Sequence, residues 1–244
     1  MELLRLAPQL EECTFNMMET TEPGDPDPPT NNIAMPNLRA LFFGANCEDR
    51  LDVFLVKLYL PVLEELHIDS ITNLEPPIDL VSHFARWRCP LRRLLLSDHE
   101  TQQMVMKRVL LQVPTLEYLH LSSSENNPAA CDVLYALADR LGSADGTVSF
   151  LPRLKTFESF NTPPTFSWDV IPRIFSVSFD GVDPISPASL PPRPVLQRVI
   201  IHVNPEPDTN EVDQETMRRY LYLKRIGIEL DIDPPLLSSH HSSV

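Results

Sequence analysis

Pro61-Val-Leu63-Glu-Glu-Leu66-His-Ile68 states a rule that the rest of the chain repeats. The rule is proline, any residue, leucine, two residues, an apolar residue, one residue, an apolar residue. It reads Pro8-Gln-Leu10-Glu-Glu-Cys13-Thr-Phe15 near the start, then Pro36-Asn-Leu38-Arg-Ala-Leu41-Phe-Phe43. It returns as Pro114-Thr-Leu116-Glu-Tyr-Leu119-His-Leu121 and as Pro194-Val-Leu196-Gln-Arg-Val199-Ile-Ile201. Cys89-Pro90-Leu91-Arg-Arg-Leu94-Leu-Leu96 carries its proline one place late, and Pro152-Arg-Leu154-Lys-Thr-Phe157-Glu-Ser159 ends on a polar residue. Only 25 of 244 residues are proline, yet six of the seven copies place one two residues before the leading leucine, so chance is a poor explanation.

The leading leucines, at 10, 38, 63, 91, 116, 154 and 196, are 28, 25, 28, 25, 38 and 42 residues apart. The first four intervals fall within a repeat period of about 20–29 residues; the last two imply insertions or degenerate units. Alternation within the phrase reads as a short strand whose third and fifth positions after the leading leucine face one side. Helical stripes lie between the phrases. Residues 49–59 align Leu51, Phe54, Leu55 and Leu58; residues 78–87 align Leu80, Val81, Phe84 and Trp87. Residues 101–112 offer Val105, Val109 and Leu110, and residues 129–141 offer Val133, Leu134, Leu137, Ala138 and Leu141. The first of these stripes falls at i, i+3, i+4 and i+7, one face of a helix, and residues 101–112 fit less cleanly. A helix is expected at 211–223, with a strand near 225–230. One strand plus one helix cannot bury its own apolar face, so such units must stack. A doubly wound α/β domain also alternates helices and strands, but has no reason to repeat this phrase.

At these residues the chain resembles the leucine-rich-repeat region of F-box proteins, in particular the divergent set of mushroom-type fungi. The phrases at Leu10, Leu63, Cys89-Pro90-Leu91 and Val113-Pro114 carry the likeness, which spans most of residues 1–233. The resemblance implies an α/β leucine-rich-repeat solenoid, a horseshoe with a parallel concave sheet and helices on the convex side. It further implies a non-catalytic protein-recognition scaffold, the substrate-receptor portion of an F-box-type ubiquitin ligase. The alternative is a stand-alone repeat scaffold with no ubiquitin link. An F-box, a helical module that usually precedes the repeats and binds a Skp1-type adaptor, is not read here; Leu3-Leu4-Arg5-Leu6 resembles the end of a helix instead. A Skp1-type adaptor is therefore expected as a partner only if an F-box lies upstream. The family's asparagine, eight residues after the leading leucine, stands only at Asn46 and Asn204. That departure predicts irregular curvature.

The domain expected is 1–233, with an acidic, proline-rich loop at 19–32, an irregular insertion at 161–193 and a disordered tail at 234–244. A possible helix lies within the insertion at 167–175.

A formal charge of −14 repels phosphate backbones and anionic membranes, so neither is an expected partner. Six glycines against 25 prolines disfavour phosphate-binding loops. The four cysteines contain no CxxC pair, the acceptor pattern Asn-x-Ser/Thr is missing, and no apolar run approaches the roughly 18 residues of a membrane span. Glu2 stands where a secretory leader would want positive charge, and Arg5 and Pro8 break the apolar run, so no leader is expected. A cytoplasmic or nuclear protein is expected. Among seven histidines none sits in HExxH, and Gly-x-Ser-x-Gly and Gly-Lys-Ser/Thr do not occur. Asp25-Pro-Asp27 and Asp231-Ile-Asp233 resemble the Asp-x-Asp metal motif of glycosyltransferases, but an acidic chain with no nucleotide fold gives that reading little support; His240-His241 reads as solvated coil rather than a metal contact. No catalytic, cofactor-binding or metal-ligating residue is assigned.

The binding reading comes from the outward strand positions. The second gives Glu12, Ala40, Glu65, Arg93, Tyr118, Thr156 and Arg198; the fourth gives Thr14, Phe42, His67, Leu95, His120, Glu158 and Ile200. Phe42, His67, Leu95, Tyr118 and His120, with Arg93 beside them, form the expected protein-binding stripe, because exposed aromatics and arginine dominate interface hot spots. Ordinary packing beneath a covering segment is the competing reading. The first positions alternate in sign through Glu11, Arg39, Glu64, Arg92, Glu117 and Lys155, which predicts a ladder of opposite charges along the stack.

Overall fold

A computed structural model describes residues 2–17, 32–46, 51–69, 79–97, 103–122, 128–139, 150–162, 167–175, 195–203 and 212–233. In it the proline of each phrase makes a turn and the leucines make a strand. The N–H groups of Leu10, Leu38, Leu63, Leu116 and Leu154 each donate to the carbonyl three residues back, at 3.1–3.4 Å. Proline thus sits at the second position of a β-turn, where its fixed φ is already correct. The displaced copy solves the problem differently. There Arg88 adopts φ 50° and its N–H caps Phe84, ending the helix one residue before Cys89 and Pro90.

The strands are β1 (Glu12–Met17), β2 (Ile33–Ala34), β3 (Ala40–Asn46), β4 (Leu58–Tyr59), β5 (Glu65–Ile68), β6 (Arg93–Leu96), β7 (Tyr118–Ser122), β8 (Thr156–Thr162), β9 (Arg198–Val203) and β10 (Glu229–Asp233). The helices are α1 (Glu2–Leu6), α2 (Leu51–Leu55), α3 (Leu80–Trp87), α4 (Gln103–Leu111), α5 (Pro128–Asp139), α6 (Val170–Ile174) and α7 (Gln214–Arg225). Eight strands form one parallel sheet, open at both ends, in the order β1-β3-β5-β6-β7-β8-β9-β10. Every strand therefore lies beside the preceding strand of the same sheet. Short β2 and β4 pair separately.

Register follows the phrase without a slip at its centre. Cys13, Leu41, Leu66, Leu94, Leu119, Phe157, Val199 and Leu230 stand in one row, the third positions. The fifth positions make another row from Phe15 to Ile232. From Leu41 to Val199 the third-position row is fully buried. The helices pack their apolar stripes against these rows: Leu51 and Leu55 of α2, Phe84 and Trp87 of α3, Val109 and Leu110 of α4, Val133, Leu134 and Leu137 of α5. Neighbouring helices touch in sequence from α3 to α7.

Several expected boundaries move. Residues 49–59 do not form one helix, because α2 ends at Leu55 and Leu58–Tyr59 leaves it to pair with β2. Leu58 stays buried, so its place in the apolar stripe was compatible with either state. The last strand is Glu229–Asp233 rather than 225–230. Helix α7 persists to Arg225, and Gly227, at φ 91°, turns the chain after it. Within the expected insertion, Asn161 and Thr162 belong to β8, and α6 buries Val170, Ile171 and Ile174. Ser159, polar where the phrase wants an apolar residue, is nonetheless buried, with its hydroxyl 2.6 Å from that of Thr162. The pair sits at a register shift between β8 and β9, and each hydroxyl satisfies the other. Most of the loop at 19–32, the remainder of the insertion and the tail 234–244 lie outside the described residues.

Candidate recognition face

Because the third and fifth positions are spent on the helices, the second, fourth and sixth must look out from the other side of the sheet. Pairing places them in three rows. The second-position row runs Glu12, Ala40, Glu65, Arg93, Tyr118, Thr156, Arg198, Glu229, and the fourth runs Thr14, Phe42, His67, Leu95, His120, Glu158, Ile200, Asp231. Phe42, His67, Leu95, Tyr118 and His120 are all half-buried, and Arg93 is exposed. All six residues of the expected stripe share this face. Ala40 and Ile200 lie on the same rows but are buried.

The side chains are held to one another. The Arg93 guanidinium lies 4.6 Å from the centre of the Tyr118 ring, and its Nε is 3.2 Å from Glu65 Oε1. Tyr118 donates its hydroxyl to Glu158 Oε2 at 2.6 Å, and His120 Nδ1 lies 3.3 Å from the same oxygen. Burial, and then the neighbouring Glu158 carboxylate, hold the Tyr118 hydroxyl well above the ordinary phenol range, so it remains a donor. Phe42 meets His67 edge to face at 6.0 Å. His67 Nε2 is 3.7 Å from Asp69 Oδ1. Few of these groups are free to swing, which lowers the ordering cost of contact with another molecule.

Two members of the face were not expected. Phe160 and His202 occupy the sixth position, one pleat beyond the end of the phrase. Their rings stack at 4.5 Å and 7°, and His120 approaches Phe160 at 5.2 Å. The signal was present, since strands of six or seven residues extend the alternation one step further.

The expected charge ladder forms as a backbone row. Each first-position N–H donates to the first-position carbonyl of the preceding strand, from Arg39 onto Glu11 through Gln197 onto Lys155. Side chains close two of its steps, Arg39 to Glu64 at 3.1 Å and Lys155 to Glu117 at 2.5 Å. The Lys155 hydrogen bond holds the Glu117 carboxyl below its usual range.

A second polar cluster lies among the helices. His83, buried on α3, places Nε2 2.9 Å from Asp52 Oδ1 and stacks on Trp87 at 5.5 Å. Arg86 donates to the carbonyls of Leu55 and Leu58, and Trp87 Nε1 also donates to Leu58. These bonds satisfy backbone carbonyls at the end of α2 and at β4. Burial pushes the Cys89 and Cys131 thiols up to about 11, which leaves them protonated and poor nucleophiles. Among the described residues no group of three His, Cys, Asp or Glu side chains is placed to hold a metal ion, and no helix is long and apolar enough to cross a membrane.

Compared with protein-family models, curated proteins and solved structures, the chain matches none. What the fold and face define is therefore a class of architecture: an α/β protein on a sequentially ordered parallel sheet, one face packed by helices and the other carrying in-register rows of aromatic, histidine and charged side chains.

Proposed function

We propose that this chain is a leucine-rich-repeat solenoid in which the sheet face opposite the helices recognises another protein. The observation that carries the reading is the fourth-position row, in register across eight strands, with Phe42, His67, Leu95 and His120 adjacent and Arg93 and Tyr118 locked beside them. A catalytic centre does not need such a row. A flat partner surface does, because hot spots are large, pre-ordered side chains in a partly desolvated patch. Within this reading the chain is a non-catalytic substrate-receptor portion of an F-box-type ubiquitin ligase, supported by the resemblance of the repeat phrases. The second reading, a stand-alone scaffold without a ubiquitin link, uses the same face.

Photo-crosslinkers placed at His67 and Thr156 on the face, and at Arg218 on α7 as a control, test the first claim. A partner crosslinked from the face should lose about tenfold or more in affinity on Tyr118→Ala or Arg93→Ala, with the fold intact by circular dichroism. Normal binding by both variants, or capture only from Arg218, would reject the face. Residues 1–244 alone should not hold a Skp1-type adaptor; stoichiometric, tight adaptor binding would overturn that part of the reading.

A further inference from the structure

Charge is unevenly divided along the strand direction. In the first row arginine and lysine alternate with glutamate, and in the second Arg93 and Arg198 are each drawn to a glutamate at 3.2 Å, Glu65 and Glu229. Toward the strands' C-terminal ends the balance is lost. Among the described residues, the fourth and sixth rows contain Asp69, Glu158, Asp231 and Asp233 and no arginine or lysine. The same rows hold the aromatic rings Phe42 and Phe160.

Because all eight strands run parallel, every chain segment that leaves a strand leaves from this one edge. In sequence those segments are acidic too: Glu19, Glu22, Asp25 and Asp27 follow β1, and Glu206, Asp208 and Glu211 follow β9.

Resting on the recognition reading above, we propose that this C-terminal half of the face takes an extended, arginine- or lysine-bearing segment of the partner protein. Carboxylates with no arginine or lysine in their own rows supply the counter-charge, and ring faces beside them suit a guanidinium or ammonium group. Arg93 and Arg198 of the other half are already engaged by glutamates, so an acidic segment gains little there. Glu158 is the pivot. Its Oε2 holds Tyr118 and His120, which fixes the carboxylate in place to meet an incoming cation.

The test uses the full chain and two synthetic peptides of equal length and equal apolar spacing, one carrying arginine and the other glutamate. Nuclear magnetic resonance should show the arginine peptide moving the signals of Phe42, His120 and Phe160. Its affinity should fall steeply as salt rises, because exposed charges are screened over about 8 Å at physiological ionic strength. Asp231→Asn and Glu158→Gln should each weaken binding about two- to fivefold, while Glu215→Gln on α7 should not. Equal or tighter binding of the glutamate peptide on the same face would overturn the charge preference and leave face recognition standing. Unweakened binding of the arginine peptide to an Asp231→Asn/Glu158→Gln double variant would do the same. If neither peptide moves a face signal, recognition by this face fails as well.

Discussion

Leu94 is fully buried between Leu66 and Leu119 in the third-position row, with equivalent apolar neighbours on either side. A carboxylate there has no partner, so Leu94→Asp should cost on the order of 4 kcal/mol, more than the cavity left by Leu94→Ala. Chemical denaturation measures both; an Asp variant that melts as wild type would contradict the inward row. Two other residues set a pH response. Asp79 accepts from the Ser82 backbone and hydroxyl at the start of α3, and Asp213 accepts from Thr216 and Glu215 at the start of α7. The Ser82 hydroxyl lowers the Asp79 pKa, and the Thr216 hydroxyl lowers that of Asp213. Each carboxyl thus binds its proton more weakly folded than unfolded. Their stabilisation is present above about pH 4, near the unfolded value, and disappears as pH falls through the lower folded values. An Asp79→Asn/Asp213→Asn double variant should melt below wild type at neutral pH, and the gap should close in acid. A gap that stays constant with pH would exclude the caps as its source.

At the scale of elements, the phrase was legible because its physics is local. Proline presets a turn, and alternating apolar residues need one buried face, so strands β3 and β5–β9 fall where the repeat puts them. Helix ends were harder. Leu58 completes the stripe of Leu51, Phe54 and Leu55, yet its backbone pairs with Ile33, which lies 25 residues earlier and which no local pattern reveals. The position of β10 was legible in principle. Gly227 is the one residue between Arg225 and Glu229 that takes a positive φ without strain, so it marks the turn after α7 and the strand must follow it. The first-position row gives a test at this scale. Arg92 lies between Glu64 and Glu117 in the backbone ladder. Arg92→Glu should destabilise more than Arg92→Gln, by no more than about 1 kcal/mol because the row is solvent-facing. Equal thermal shifts in the two variants would show the alternation of sign to be without effect.

For the molecule as a whole, strict sequential order means that each unit leans mainly on its neighbours, and an edge strand is where pairing with other chains must be opposed. Among the described strands β10 has a single neighbour, β9, and it carries Glu229 and Asp231 on its outer face. Both are exposed. Charges on an edge strand oppose the addition of another strand. Glu229→Thr combined with Asp231→Val should leave the chain folded and produce concentration-dependent association beyond that of wild type in sedimentation velocity. A variant that associates no more than wild type across the same concentrations would assign these carboxylates no guarding role at this edge.

By itself the sequence determined the phrase, its spacing, the alternation of inward and outward residues, and hence membership of Phe42, His67, Arg93, Leu95, Tyr118 and His120 in one face. Those follow from turn chemistry and the two-residue period of a strand, which act over a few bonds. Tertiary structure decided which of these residues touch. Tyr118 and His120 converge on Glu158, 40 and 38 residues away, and His83 finds Asp52 at a separation of 31. It also absorbed the one polar break in the phrase, pairing Ser159 with Thr162 at a register shift, and brought Phe160 against His202 within that shift. Such contacts depend on the register between strands encoded far apart in the chain, and register is settled only when every unit packs its apolar rows at once.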